Sequence, residues 1–171
     1  MVKGCVAGQR APQGTPQPEF PSRKRKAPPM NIDRFKHEHV DILESIATLR
    51  RLTQAGVASN AAQIAQGVVA MSSHIKLHLA VEDRVLYPAL QNGPDASLAR
   101  LGQRMQQEMG AIASAYMAFA RRWNTAEAVR GDEAGFRTDA NLVLRQVHER
   151  MQRENRDFYP RIEAMDAAAV H

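Results

Sequence analysis

The chain has 171 residues, with 23 lysines plus arginines, 18 aspartates plus glutamates, six histidines and one cysteine. That length suits one ordinary domain, and aromatic side chains make up only 5% of it, which argues against a strand-rich sandwich or barrel. The sequence has no run of about 18 apolar residues that would predict a transmembrane helix, and a single cysteine excludes an internal disulfide. We therefore expect a cytoplasmic protein in a reducing compartment.

The excess positive charge is confined to the N-terminal tail. Residues 1–29 carry six basic side chains and one acidic side chain, with six prolines and three glycines, whereas the remainder has 17 basic and 17 acidic side chains. Such a tail cannot bury enough apolar surface to offset the entropy of ordering, so we predict disorder over 1–29 and one domain over 30–171. Its basic run, Arg23 to Lys26, could contact nucleic acid or another anionic partner, although a solvated tail is the simpler interpretation.

Four amphipathic helices are predicted in the domain. Apolar residues recur at spacings of three and four over 31–53, 60–91, 97–124 and 133–165. The stretches are separated by turn-forming residues, namely Ala55-Gly56, Asn92-Gly93-Pro94 and Gly131-Asp132. Four long helices with short connections predict an all-α fold, an up-down-up-down four-helix bundle.

Histidine and glutamate side chains interrupt the apolar faces of these helices. On a helix with about 100° between successive residues, His78 and Glu82 lie on the inward arc of the second helix, with His74 at its edge. An unpaired buried carboxylate costs roughly several kcal/mol, so one shared metal ion would account economically for all of these groups. The candidate ligands are His39, His74, His78, Glu82, Glu108 and Glu154.

The sequence around His78 recurs 72 residues later. The segment from His78 to Pro88 aligns with the segment from Arg150 to Pro160, with glutamate, arginine, tyrosine and proline at identical offsets. The repeat predicts two helical hairpins related by a pseudo-two-fold axis. Each Tyr-Pro pair stands where proline kinks or stops a helix, and we expect it to cap the open end of the bundle.

These motifs resemble the hemerythrin-like HHE cation-binding family over about residues 30–164. The resemblance rests on Lys36-His37-Glu38-His39, on the segment from His74 to Pro88, and on the segment from Glu154 to Pro160. It implies a four-helix bundle around a non-haem di-iron centre that is bridged by carboxylates and open to dioxygen, nitric oxide or peroxide. The ligands that it implies are His39, His78, Glu82 and Glu154.

Two positions depart from the family pattern. Where the third helix should offer a histidine stands Glu108, and one turn before Glu154 the expected histidine is Arg150. We therefore count Glu108 among the ligands and keep His74 as an additional candidate. This oxygen-rich set favours Fe(III), Mn or Mg. Arg150 would repel a second metal ion or neutralise the carboxylates, so di-iron and mononuclear iron both stay open.

Two functions follow from the sequence. The first is a non-haem iron-binding protein, with a di-iron centre expected and mononuclear iron as the alternative, that binds, senses or scavenges dioxygen, nitric oxide or peroxide, as in a stress response. An iron-dependent enzyme that detoxifies peroxide or nitric oxide is a variant of this function, and the sequence names no general acid for it. The second is a metal-free interaction module, in which Glu108, Glu154, Arg150 and His78 satisfy one another as a buried polar network while the basic tail contacts an anionic partner. We expect no membrane partner, and nucleic acid only through the tail.

Overall fold

The computed structural model describes residues 31–168, so the predicted disordered tail over 1–29 lies outside the described residues. Within them the chain is helical and contains no strand, which confirms the all-α class. The α-helices are α1 (Ile32–Ala55), α2 (Ala61–Val81), α3 (Tyr87–Gln91), α4 (Ala96–Arg122), α5 (Ala126–Gly131), α6 (Glu133–Arg153) and α7 (Tyr159–Ala168). Two π-helical turns complete them, the first π turn (Glu82–Leu86) and the second π turn (Glu154–Phe158).

The two π turns interrupt helices that the sequence predicts as regular. The first joins α2 to α3 and the second joins α6 to α7, so each helix continues past its Tyr-Pro pair. Proline has no N–H, and its ring clashes with the carbonyl four residues before it in a regular helix, so a wider turn is needed before Pro88 and Pro160. Where the sequence predicts that proline kinks or stops the helix, the structure thus has a π turn, at the same position in both repeats.

The long helical segments pack as a ring of neighbours. Helix α1 contacts α2 and α6, and α4 contacts the same two helices. The short helix α5 was not predicted; it lies against α2 and α6. Its N-cap Thr125 accepts a hydrogen bond from the Ala128 N–H, and its Val129 is buried. The described residues therefore form five helical segments where the sequence predicts four.

The apolar core falls into two clusters. The larger includes Ile42, Ile75 and Met151, and the smaller includes Phe35 and Phe158. Along α1 and along the two helical segments that contain the π turns, the buried polar and charged side chains lie between residues of the larger cluster and residues of the smaller one. They form a polar layer that separates the two apolar clusters. None of the described helices combines the length and apolar character of a membrane-spanning segment.

Candidate metal centre

Four buried side chains converge in the polar layer. They come from α1, α2, the first π turn and the second π turn, and each is 0% exposed. One ligand atom from each lies within 4.8 Å of all the others. The structure thus brings together four of the six candidate ligands, namely His39, His78, Glu82 and Glu154.

The other two candidates lie outside this cluster. His74 is exposed on α2 and lines a surface groove beside Asp41. Glu108 is 46% exposed, with its Oε2 atom 3.3 Å from Arg150 Nη1 and 3.0 Å from Arg153 Nη1. On α4 the buried face is formed by methionines to either side of Glu108, so its carboxylate turns outward. The positions of Glu108 and His74 in the structure therefore do not support the prediction that these two residues are metal ligands.

Partners outside the cluster orient the two imidazoles. His78 Nδ1 lies 3.1 Å from Glu38 Oε2, and His39 Nδ1 lies 2.8 Å from Asn155 Oδ1. Carboxylate and amide oxygens accept hydrogen bonds, so each Nδ1 carries a hydrogen, and each Nε2 is the ring nitrogen that faces the centre. Burial and the adjacent His39 lower the pKa of His78, which keeps its ring neutral. Such a second hydrogen bond is typical of metal-binding histidines.

Hydrogen bonding does not satisfy every polar atom of the centre. The two Nε2 atoms lie 3.2 Å apart. The buried Oε2 atom of Glu154 has no hydrogen-bond partner, although His39 Nε2 lies 3.2 Å away. Because an unsatisfied buried carboxylate oxygen is costly, these converging acceptors fit a bound cation.

The donor–donor distances also match a metal ion. His39 Nε2 lies 3.2 Å from His78 Nε2 and from Glu154 Oε2, and His78 Nε2 lies 3.6 Å from Glu82 Oε1. Two ligands with bonds of about 2.1 Å are roughly 3.0 Å apart at a right angle and roughly 3.4 Å apart in a tetrahedron. These three distances therefore lie in the range expected for neighbouring ligands of a metal ion.

The two glutamates differ in their electrostatic surroundings. Burial, together with the negative charge of Glu154, raises the pKa of Glu82 well above its ordinary value. Burial alone would also raise the pKa of Glu154, but His39 and the guanidinium of Arg150 outweigh it and hold that pKa below the ordinary value. The centre therefore has one carboxylate with a cationic partner and one that a metal ion would stabilise.

Arg150 is the cation next to Glu154. Its side chain is 0% exposed, and its Nε and Nη2 atoms lie 2.7 and 2.6 Å from Glu154 Oε1. Nη2 also donates to the carbonyl of Met105 at 2.7 Å. In the repeat Arg150 is the counterpart of His78, so a guanidinium takes the place of an imidazole in the second half.

The π turns place two tyrosines at the centre. In a regular helix, residues five positions apart are rotated by about 140°, but the first π turn bonds the Tyr87 N–H to the Glu82 carbonyl. The Tyr87 hydroxyl then donates to Glu82 Oε2 at 3.1 Å. Burial and the nearby Glu82 raise the pKa of Tyr159 as well as that of Tyr87, so without a cation both phenols keep their protons.

Sequence reasoning missed the two residues that orient the imidazoles. Glu38 contacts a histidine 40 positions away, and Asn155 contacts one 116 positions away. Helical spacing carries no information about such contacts. The sequence offers one indication of these two residues, which is that each is next to a candidate ligand. Glu38 precedes His39, and Asn155 follows Glu154.

The comparison with known families agrees with this centre. The family model "Hemerythrin HHE cation binding domain" matches residues 30–162. The chain therefore belongs to the hemerythrin HHE cation-binding domain family, and the family prediction made from the motifs is confirmed. No curated protein and no solved structure matches the chain. The family and the buried His/Glu cluster together indicate cation binding.

Proposed function

We propose that this protein holds one non-haem iron ion inside an up-down-up-down four-helix bundle and there binds a small oxidant, dioxygen, nitric oxide or peroxide. The ligands are His39, His78, Glu82 and Glu154. The observation that carries the proposal is the convergence of four buried donor atoms within 4.8 Å, one of them a carboxylate oxygen without a hydrogen-bond partner.

The position of Arg150 supports one metal ion rather than two. A carboxylate that bridges two metals needs both of its oxygens, but two guanidinium nitrogens already lie against Glu154 Oε1. The positive charge of Arg150, which does not deprotonate in proteins, would also repel a second ion. The guanidinium thus supplies the charge that a second metal would bring to a di-iron centre.

The ligand set supports iron. Imidazole nitrogens and carboxylate oxygens together suit non-haem iron, which binds such mixed sets with positions open for oxidants. When bound, iron supplies electrons and Lewis acidity for a small oxidant. The chain itself contributes imidazoles and carboxylates that are 0% exposed and that lie between two apolar clusters.

Metal analysis tests the proposal. Protein purified without chelators and loaded anaerobically with Fe(II) is expected to contain about one iron per chain. The H78A variant should lose that iron, whereas H74A, an exposed histidine one turn earlier on α2, should retain it. About two irons per chain would overturn the single-metal assignment in favour of a di-iron centre. Less than about 0.2 metal per chain would indicate the metal-free polar network instead.

Oxidant binding is tested separately with nitric oxide. Adding the gas anaerobically to Fe(II)-loaded protein should change its absorption spectrum in proportion to bound iron, in the starting protein and in H74A alike. An unchanged spectrum at full iron content would overturn the oxidant role and leave iron binding intact.

A further inference from the structure

The hydroxyl of Tyr159 lies among the proposed ligand atoms. It is 3.0 Å from His39 Nε2 and 3.1 Å from Glu82 Oε1. Both distances are shorter than the 3.2 Å between the two imidazole nitrogens, and both equal the spacing of about 3 Å between neighbouring ligands of one metal. The phenol oxygen is thus spaced like a fifth donor atom.

Ring packing and hydrogen bonding together fix this position. The hydroxyl donates to Glu82 Oε1 and also lies within hydrogen-bond distance of His39 Nε2. The ring is 0% exposed and stacks on His39, with centroids 5.1 Å apart and planes 27° apart. The buried ring therefore keeps the phenol oxygen beside both the imidazole and the carboxylate.

Tyr87 provides an internal comparison. It occupies the same position in the first repeat, and it is also buried. Its hydroxyl contacts Glu82 Oε2, whereas the carboxylate oxygen nearest to His78 Nε2 is Oε1. The two tyrosines therefore approach opposite oxygens of one carboxylate, and the Tyr159 hydroxyl is the one that also lies next to His39.

We propose that Tyr159 is a fifth protein ligand and binds Fe(III) as a phenolate, an inference that rests on the proposed iron site. On binding, the phenol O–H bond breaks, an oxygen–iron bond forms and the proton passes to the buffer, with no change of oxidation state. Arg150 already offsets part of the negative charge of the two carboxylates, and a phenolate adds one further negative charge against the 3+ charge of Fe(III). Because uncompensated charge is costly in a buried centre, this ligand favours the ferric ion.

The test uses Fe(III)-loaded full-length protein, with iron content and visible absorption measured on the same sample. Phenolate bound to Fe(III) gives a visible charge-transfer band that imidazole and carboxylate ligands do not give. We expect this band in the starting protein, its loss in Y159F at an iron content reduced less than about twofold, and its retention in Y87F. Resonance Raman excitation in the band should enhance tyrosine ring vibrations.

The chain has three tyrosines, so the charge-transfer band can be assigned to one of them even if the Y159F variant does not fold. The third, Tyr116, donates to the Val68 carbonyl within the larger apolar cluster. If Y159F fails to fold, retention of the band in both Y87F and Y116F assigns it to Tyr159. Iron-loaded protein without the band, or a band that persists in Y159F, overturns this inference and leaves the iron site standing. Protein that takes up no iron overturns both.

Discussion

Each buried imidazole is held by one residue that sequence spacing does not reveal. Glu38 and Asn155 accept the Nδ1 hydrogens of His78 and His39, which turns both Nε2 atoms toward the same centre. Loss of such a partner frees the ring to turn and lowers the basicity of the ligand nitrogen. At this scale the chemistry depends on hydrogen bonds to atoms that do not touch the metal.

The first prediction concerns Glu38. The substitution Glu38→Ala should weaken iron affinity by about 10- to 100-fold, because the His78 ring loses its orienting acceptor. Competitive titration with a coloured chelator measures the change. The control is Glu44→Ala, an exposed carboxylate on the same helix, which should bind iron like the unmodified chain. Equal affinities for the two variants would show that Glu38 does not orient His78.

The second prediction concerns Arg150. The substitution Arg150→Met keeps much of the side-chain volume but leaves Glu154 buried without its cation, and in iron-free protein it should lower the unfolding free energy by about 3–5 kcal/mol. Urea unfolding in the presence of a chelator gives this value. Arg153→Met is the matched control, since that side chain is 45% exposed and its loss should cost under about 1 kcal/mol. Similar losses in both variants would contradict a buried ion pair at Arg150.

At the scale of elements, the paired π turns set the positions of the glutamates and tyrosines. Regular helical spacing predicted the inward faces of α2 and α6 up to Glu82 and Glu154. Beyond those residues the wider turns change the register, so a helical wheel no longer shows which side chains face inward. The Tyr-Pro pairs mark these turns in the sequence, and in the structure each helix continues beyond its pair.

The third prediction concerns the start of α4. Asp95 accepts hydrogen bonds from the Ser97 and Leu98 N–H groups, and chiefly the Leu98 bond lowers the pKa of Asp95 below its ordinary 3.8. A depressed pKa means that ionised Asp95 stabilises the folded state above pH 3.8, and that this stabilisation is lost as pH falls through the folded-state pKa. The urea concentrations at which half of the protein is unfolded are measured for the unmodified chain and for Asp95→Asn from above pH 3.8 downward. The difference between the two midpoints should become smaller as pH falls. A constant difference would contradict the role of the charge.

At the scale of the whole molecule, the polar layer separates two apolar clusters and ties helices from both repeats together. His39 comes from the first helix, while Glu154 lies more than a hundred residues later in the second π turn. A metal ion bound to both would join segments distant in sequence, and occupancy of the centre would then be coupled to the stability of the fold.

The fourth prediction follows from this coupling. At free iron about a hundredfold above the dissociation constant, the unfolding free energy should rise by about 2.7 kcal/mol, with a higher melting temperature. Thermal unfolding with and without iron measures the change. H74A should respond like the starting protein, and H78A should not respond. A melting temperature independent of iron in the starting protein would mean that folded and unfolded chains bind it equally.

The sequence by itself determined the helical class, the family and a set of six candidate ligands that includes the four residues that converge. Local periodicity is enough to place His78 and Glu82 on one inward face, and the repeated motif points to Glu154 in the same way. These signals act within one helix, where about 3.6 residues per turn relate position to direction.

Only the tertiary structure decided how the centre is completed. The positions of His74 and Glu108 outside the cluster, the hydrogen bonds accepted by Glu38 and Asn155, and the position of the Tyr159 hydroxyl all depend on how the helices are rotated against each other. That rotation is set by side-chain packing in the two apolar clusters, between residues that are distant in the chain. The spacing of residues along a single helix therefore cannot predict it.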